Sequence, residues 1–396
     1  MVVVCFPMQL FAFQENDLWQ NNVDTIAIGV NHGPEGFEIS TPDKKFLIQI
    51  AGRLQFRYAY PNDQDPITFE DFQVDDKHIF KVNRARLKVG GHAYQPWLKY
   101  YFEYELSANR LLDFRIMIEK WPWLNFKVGQ WKTEYSRERI ISSGKQQMME
   151  RSIINRPFTL DRQQGVTVYG HLKGPGLANF NYHLFMLTGS GMGIAENDDD
   201  NLLYSGRLQW NFFGDGVPMS GSDLEHHEKP LGSLAIAAGT NTSRFTRFSS
   251  AGGGALDGFE IGVPGQFTAE QMLIESAFKY RSLSWHSEWH FKSITDNIDH
   301  NITQLTGYFV QGGYMVNGSL KRPHPLFEFA LRYSRLQPRL TLPNNTEEEF
   351  SLSLNCFFNE HLNKLTADVS FFEFESESIN REASGWRFRV QYDFSF

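Results

Sequence analysis

Arg84, Arg86 and Lys88 stand two residues apart, so in an extended chain their side chains leave the same face. Ala85, Leu87 and Val89 leave the other face. Arg53 and Arg57 repeat the arrangement on the preceding alternating segment, and Arg115 and Lys127 on two later ones. A guanidinium presents a planar fork that fits two phosphate oxygens, whereas an ammonium acts as a point charge. A row of such groups can hand an anion from one contact to the next without making or breaking a bond. The competing reading is that these cations only neutralise Glu103, Glu105, Asp113 and Glu119 on neighbouring strands.

A second group lies in the polar run that follows Val128-Gly129-Gln130. Lys132, Arg137, Arg139, Lys145 and Arg151 fall within it, and seven cations between Lys132 and Arg162 face Glu134, Glu138, Glu150 and Asp161. A charged excursion of this length between two alternating segments is unusual and often functional. Glu138 and Glu150 are placed to hold half of these arginines as plain structural pairs.

Strands must position both groups. Leu54, Phe56 and Tyr58 oppose Arg53, Gln55 and Arg57; Leu98, Tyr100, Phe102 and Tyr104 oppose Lys99, Glu103 and Glu105. The same period of two recurs near 112–119, 124–128, 164–172, 178–188, 202–213, 231–244, 270–281, 283–294, 301–316, 325–337, 347–358 and 362–375. At the end of the chain Trp386, Phe388, Val390, Tyr392, Phe394 and Phe396 alternate with Arg387, Arg389, Gln391, Asp393 and Ser395. Such a strand exposed in water would aggregate; against lipid it has a place. The spacing predicts about sixteen antiparallel strands of roughly ten residues, closed into a transmembrane barrel. Connections alternate short and long, with two exceptions: 214–230 is long where a short turn is expected, and 107–110 is short where a loop is expected.

Composition agrees. Aromatics make up 15% of the 396 residues, with 35 Phe, yet mean hydropathy is −0.40. The apolar residues are interleaved with polar ones, as in membrane barrel strands. No apolar run reaches the length of a spanning helix. Net charge is −8, so any anion preference must be local, and nucleic acid is not an expected partner. Two cysteines, Cys5 and Cys356, are too few for a disulfide framework. Residues 1–13 read as a signal-peptide remnant, apolar but without a basic start and interrupted by Pro7. Residues 14–43 read as a periplasmic lead-in, and 44–396 as one barrel domain. Trp97, Trp121, Trp123 and Trp131 fit an aromatic girdle at the membrane boundary.

The sequence Val128-Gly129-Gln130-Trp131-Lys132, then Glu134-Tyr135-Ser136, Glu138-Arg139 and Met149-Glu150-Arg151-Ser152, resembles the signature region of the phosphate-selective porin O and P family. Tyr135 departs from the Pro-Phe that members often carry at that step. Tyr308-Phe309-Val310-Gln311 and the run Phe329 to Leu336 resemble that family's late strands. The resemblance covers about residue 46 to the end and is faint over 214–270. It implies an inward-folded third extracellular loop, 132–163, that narrows the channel. It also implies passage of phosphate or other small anions, a homotrimer, and a place in the bacterial outer membrane among its lipids. The anion-binding candidates are Arg53, Arg57, Arg84, Arg86, Lys88, Lys127, Lys132, Arg137, Arg139, Lys145 and Arg151.

No cofactor is expected. His226-His227, His286, His290 and His300 lack the defined ligand set a metal site needs, and no motif supports a catalytic Ser-His pair. No metal ligand and no catalytic residue is therefore assigned. Asp198-Asp199-Asp200 and Glu347-Glu348-Glu349 read as solvated outer faces. Two rivals remain open: a general-diffusion porin without anion preference, and a soluble or surface β-protein that binds carbohydrate through its aromatics. A lipid-hydrolysing barrel is a distant third.

Overall fold

The computed structural model describes residues 28–33, 36–193, 196–249, 252–316, 325–377 and 380–396. The expected signal remnant, 1–13, lies outside them. Twenty strands follow in chain order. A hairpin of β1 (Gly29–Gly33) and β2 (Gly36–Ser40) comes first. Then come β3 (Leu47–Tyr60), β4 (Ile79–His92), β5 (Leu98–Glu105), β6 (Arg110–Trp121) and β7 (Leu124–Lys132). Next are β8 (Arg162–Lys173), β9 (Asn179–Leu187), β10 (Leu203–Trp210) and β11 (Leu231–Ser243). A small hairpin, β12 (Arg247–Ser249) and β13 (Gly252–Gly254), interrupts the series. It resumes with β14 (Phe267–Tyr280), β15 (Leu283–Asp296), β16 (Ile302–Met315) and β17 (Leu326–Gln337). It ends with β18 (Asn345–Asn359), β19 (Asn363–Ser376) and β20 (Arg381–Ser395).

Every neighbouring pair from β3 onward is antiparallel, and β20 returns to pair with β3 from Phe388↔Tyr60 to Ser395↔Arg53. Nine strands, β3 to β11, and seven, β14 to β20, thus close a sixteen-stranded barrel. Closure satisfies the backbone groups that an open edge would leave bare in lipid. The β1–β2 hairpin adds to the lower end of β3, from Phe37↔Ile50 to Ser40↔Leu47, so the stretch expected as a plain lead-in carries structure in its described part.

Alternation sorts the side chains. Phe80, Leu87, Phe102, Phe126, Ile274, Leu331 and Trp386 are exposed on the outside, while Arg57, Gln55, Glu275, Glu328, Arg389 and Asp393 are buried inside. In β4 the sorting depends on one irregularity. Phe80 and Val82 face out, and strict alternation would send Arg84 into lipid after them. A bulge opposite Gln55 and Phe56 leaves Asn83 without a partner in the ladder. The extra residue reverses the parity, so Arg84 reaches Gln55 Oε1 at 2.9 Å inside the barrel.

The two misfits in the short-long rhythm are real features. Residues 106–109 make a tight outer turn, and 211–230 make a long connection at the end that holds the other short turns. Trp121 and Trp123 are exposed near a turn as a girdle requires. Trp131 is not in the girdle. It is fully buried with Tyr135, Leu160, Phe185 and Phe248, and its indole N–H donates to Glu134 at 2.9 Å. Trp131 shares the parity of Asn125 and Lys127, which face in, so the period of two places it inside; Gly129, between Lys127 and Trp131, takes φ 128°. A Cβ at Gly129 would meet the Phe114 carbonyl oxygen at 2.1 Å, so only glycine fits there.

Candidate functional site: a cation-lined lumen

The segment 133–161 leaves β7, crosses the lumen and fastens to the opposite wall before entering β8. Its short helix α1 (Arg137–Ile140) is capped by the Ser136 hydroxyl, which accepts from Arg139 N–H. Ser136 Oγ also donates to Glu288 at 2.7 Å, and Glu138 N–H donates to the other Glu288 oxygen at 2.7 Å. Further on, Gln147 Nε2 donates to Ser284 and to Glu328, and its carbonyl accepts from Ser353 and Asn355. Met149 N–H reaches Asp368 at 3.2 Å, and Lys364 reaches the Gln146 carbonyl at 2.9 Å. These partners run along β14 to β19, so the segment lies against that half of the barrel. A loop of this kind has to satisfy its backbone inside the wall, and the inward polar side chains of the strands do so.

A second segment enters from the other mouth. The connection 211–230 rises into the lumen until Arg137 Nη1 reaches the Val217 carbonyl at 3.3 Å, Arg137 Nη2 bonds the Pro218 carbonyl, and Gly221 N–H meets the Lys145 carbonyl at 2.8 Å. Ser222 and Gln147, one from each segment, share Glu328.

The charges sort into paired and unpaired. Arg86 is held by Glu103 at 2.7 Å and by Glu105 at 2.6 Å, which bears out the neutralising reading for that residue. Lys88 stands opposite Glu103 in the β4–β5 register. Glu150 is 2.6 Å from Arg57 and 3.8 Å from Arg84, and Asp63 takes Arg57 at 3.0 Å. Arg139 is clasped by Asp161, and Lys127 binds Glu134. Glu138 bonds the Ser152 backbone and stands 3.8 Å from Arg332. Glu150 and Glu138 therefore steady arginines of the wall rather than of their own loop.

Between β4, β6, β7 and the crossing segment lies a cavity of about 210 Å³ lined by Arg84, Arg86, Arg110, Lys132, Arg139, Arg151 and Arg162, with Glu105 as the one lining carboxylate. The Lys132 ammonium makes no hydrogen bond or ion pair with the described residues. Arg151 donates only to main-chain carbonyls, those of Glu138, Arg139 and Ile141 at 2.9–3.2 Å. Burial first, and Arg139 beside it second, push Arg151 down to about 9. An arginine stays protonated in a protein; Glu138 and Asp161 offset only part of the burial and of the push from Arg139 and Arg84. Five of the expected residues meet here: Arg84, Arg86, Lys132, Arg139 and Arg151. Arg110 and Arg162 join them and were not among the candidates; Arg162 faces Lys132 across the last rung of β7 and β8, so the hairpin stem was the available signal.

The remaining candidates lie elsewhere. Arg57 and Lys127 are consumed by their carboxylates. Arg137 points toward the 211–230 segment. Arg53 donates to Ser142 at 2.8 Å and Ser395 at 3.2 Å, beneath the loop, where Lys145 also lies close enough for its charge to act on His361. Glu275, His286 and Glu288 stand close enough to share an ion. Their carboxylates are already engaged: Glu275 by Arg207 and Arg137 N–H, and Glu288 by the loop and by His286 and His290. Ser282 Oγ lies 2.6 Å from His226 Nδ1, but Asp223 bonds His227 instead, so the three do not form a relay.

A closed sixteen-stranded barrel with a lumen-crossing loop and a cationic passage defines an outer-membrane channel, a porin. The profile of the family described as phosphate-selective porin O and P matches residues 50–394, and the chain belongs to that family. Its match to Porin O of Pseudomonas aeruginosa is 27% identical over 191 residues, covering 46% of this chain and 40% of that protein. The matched stretch thus spans less than half of the relative. Among solved structures, OmpT of Vibrio cholerae in its trimer form superposes with TM-score 0.57 at 9% identity, over 88% of this chain and 99% of that one. An anion-selective porin from Comamonas acidovorans gives 0.56 at 11% identity, over 88% and 99%. At those identities the two structures speak for the fold alone. The family match removes the soluble carbohydrate-binding reading.

Proposed function

We propose that the protein gives small anions, phosphate or polyphosphate among them, a passive path across the outer membrane. The observation that carries this is the cavity beside the crossing loop, where seven cations face one lining carboxylate. Ions enter the outer mouth, exchange contacts between neighbouring guanidinium forks and Lys132, and leave because no single partner holds all their oxygens. The low-dielectric wall focuses the field of those charges. No bond is made or broken, so the protein works as a channel and not as an enzyme.

The test is the reversal potential of the purified protein in a planar bilayer under a KCl gradient, followed by added phosphate. A chloride-favouring potential with current blocked by phosphate supports the proposal. A near-zero or cation-favouring potential indifferent to phosphate leaves a general-diffusion porin.

Assembly as a homotrimer belongs to the same reading. Strands β5 to β10 hold 8, 12, 9, 12, 9 and 8 residues, against 14 or 15 in β14 to β16 and β18 to β20. Tilted by about 40°, eight residues rise only about 20 Å, short of the apolar band of about 25 Å. That low side favours contact with another copy over contact with lipid. Crosslinking across β5 and β7 that yields trimers supports it; monomers in native mass spectrometry count against it.

A further inference from the structure

Above the cationic cavity the outer vestibule opens into a second, larger space of about 520 Å³. Its composition differs. One wall is apolar: Ile153, Leu256 and Phe259 pack over a buried cluster that includes Leu305 and Leu336, and all five line the space. The facing wall carries hydrogen-bond donors that the protein leaves unused. Among the described residues Arg156 Nε and Nη1, Arg247 Nε and the Thr159 hydroxyl are buried without a partner, and Thr159 is only 3% exposed. Unpaired donors at this depth carry an energetic cost, and a carboxylate is the group that relieves it.

Acidic neighbours temper the charge without taking the donors: Asp63, Asp65 and Glu150 also line the space but are held by Arg57, Lys81 and Arg389. Glu347, Asp257 and Asp71 act on Arg156 through space, but none forms a hydrogen bond or ion pair with it among the described residues. Inorganic phosphate would use the donors and leave the apolar wall against water. An apolar solute would use the wall and leave the donors bare. A volume of this size is typical of small-molecule sites, where an apolar lining meets a few convergent polar groups.

We infer that the outer vestibule is a separate site for organic anions, carboxylates attached to an apolar or aromatic body. The carboxylate lies on Arg156, Arg247 and Thr159, and the body lies on Leu256, Phe259 and Ile153. The inference rests on the reading of the lumen as an anion path, but uses residues that do not line the smaller cavity.

The experiment compares benzoate with acetate as blockers of chloride current through the full-length channel in a planar bilayer, with phosphate block measured in parallel. Both probes carry one carboxylate and differ only in the ring. Benzoate is expected to half-block at least tenfold below acetate. The double variant R156Q/R247Q should raise the benzoate value at least tenfold and leave the phosphate value unchanged. F259S should bring benzoate toward acetate while keeping both arginines, which guards against a folding defect in the double variant. Equal potency of benzoate and acetate in the unaltered protein overturns the inference. Absence of phosphate block with benzoate block intact overturns the proposed inner site and leaves this one standing.

Discussion

Replacing Lys132 isolates the cationic cavity because its ammonium bonds no described residue; the change strands no partner, whereas cutting Arg86 or Arg139 would leave carboxylates buried and bare. A sphere of the cavity's 210 Å³ has a radius of about 3.7 Å, so a phosphate at its centre sits roughly 6 Å from a lining charge. At that distance one unit charge contributes about 0.7 kcal/mol at a dielectric constant of 80 and about 2.8 kcal/mol at 20. The geometric mean of the two, about 1.4 kcal/mol, corresponds to about a tenfold change in affinity. K132Q should therefore raise the phosphate concentration for half-block about tenfold, and K132E, which shifts the charge by two units, about a hundredfold. The assay is titration of phosphate against chloride current in 0.1 M KCl, repeated at 1 M, where a Debye length of about 3 Å should shrink both effects. Well-formed channels in which K132Q and K132E leave the half-block unchanged would refute the argument, since a charge lining the anion's path cannot be inert.

Three other perturbations test the lumen's construction. E288A removes the acceptor that holds Ser136, Glu138 N–H, His286 and His290; at roughly 1–3 kcal/mol for each stranded donor, the crossing loop should detach and single-channel conductance and open-channel noise should rise, with unchanged conductance counting against the anchor. Asp65, in the outer mouth, is pushed up to about 6, chiefly by burial and against the pull of Arg389, so it is ionised at pH 7.5 and neutral at pH 5; the local charge rises by about one unit on acidification, and the reversal potential should move toward chloride, an increment that D65N should remove. Shortening 214–224 to a tight turn withdraws the carbonyls that Arg137 holds and should raise conductance without loss of the barrel's heat-modifiable migration on gels.

The walls were legible because burial on one face and lipid on the other write the same period of two through every strand. Predicted limits near 283–294, 325–337 and 362–375 match β15, β17 and β19 within about two residues. The loop's cations were legible as a group, and three of them, Lys132, Arg139 and Arg151, line one cavity with Arg84 and Arg86 of the wall. What alternation cannot encode is which charge meets which. Glu150 finds Arg57 and Arg84 across most of a hundred positions, and the sequence carries no local mark of that choice. Trp131 was misplaced because residue type was followed over parity: it stands four positions after the inward Lys127, so the period of two already sends it into the barrel. The 211–230 segment reads as a polar turn because its contacts, Glu328, Lys279 and the Arg137 guanidinium, all come from distant parts of the chain.

The net charge of −8 and the cationic cavity are reconciled by where the loop lies. Its anchors on β14 to β19 include Glu275, Glu288, Glu328, Glu349 and Asp368, so the acids of that half are spent on backbone N–H groups and side-chain donors of the crossing segment. The acids left on β5 and β6 are paired as well: Glu103, Glu105 and Asp113 each clasp an arginine, and Glu119 takes Lys99. Among the described residues Lys132 and Arg151 have no carboxylate in contact, and Arg84 has one only at 3.8 Å. The field along the open side is then set by the unmatched cations, not by the sum over the chain. Acidic residues fix the loop, and the position of the loop decides which basic residues remain available to a solute. Moving the loop, as E288A is designed to do, should therefore weaken anion preference even though the substitution deletes a negative charge, the opposite of what a count of charges would give.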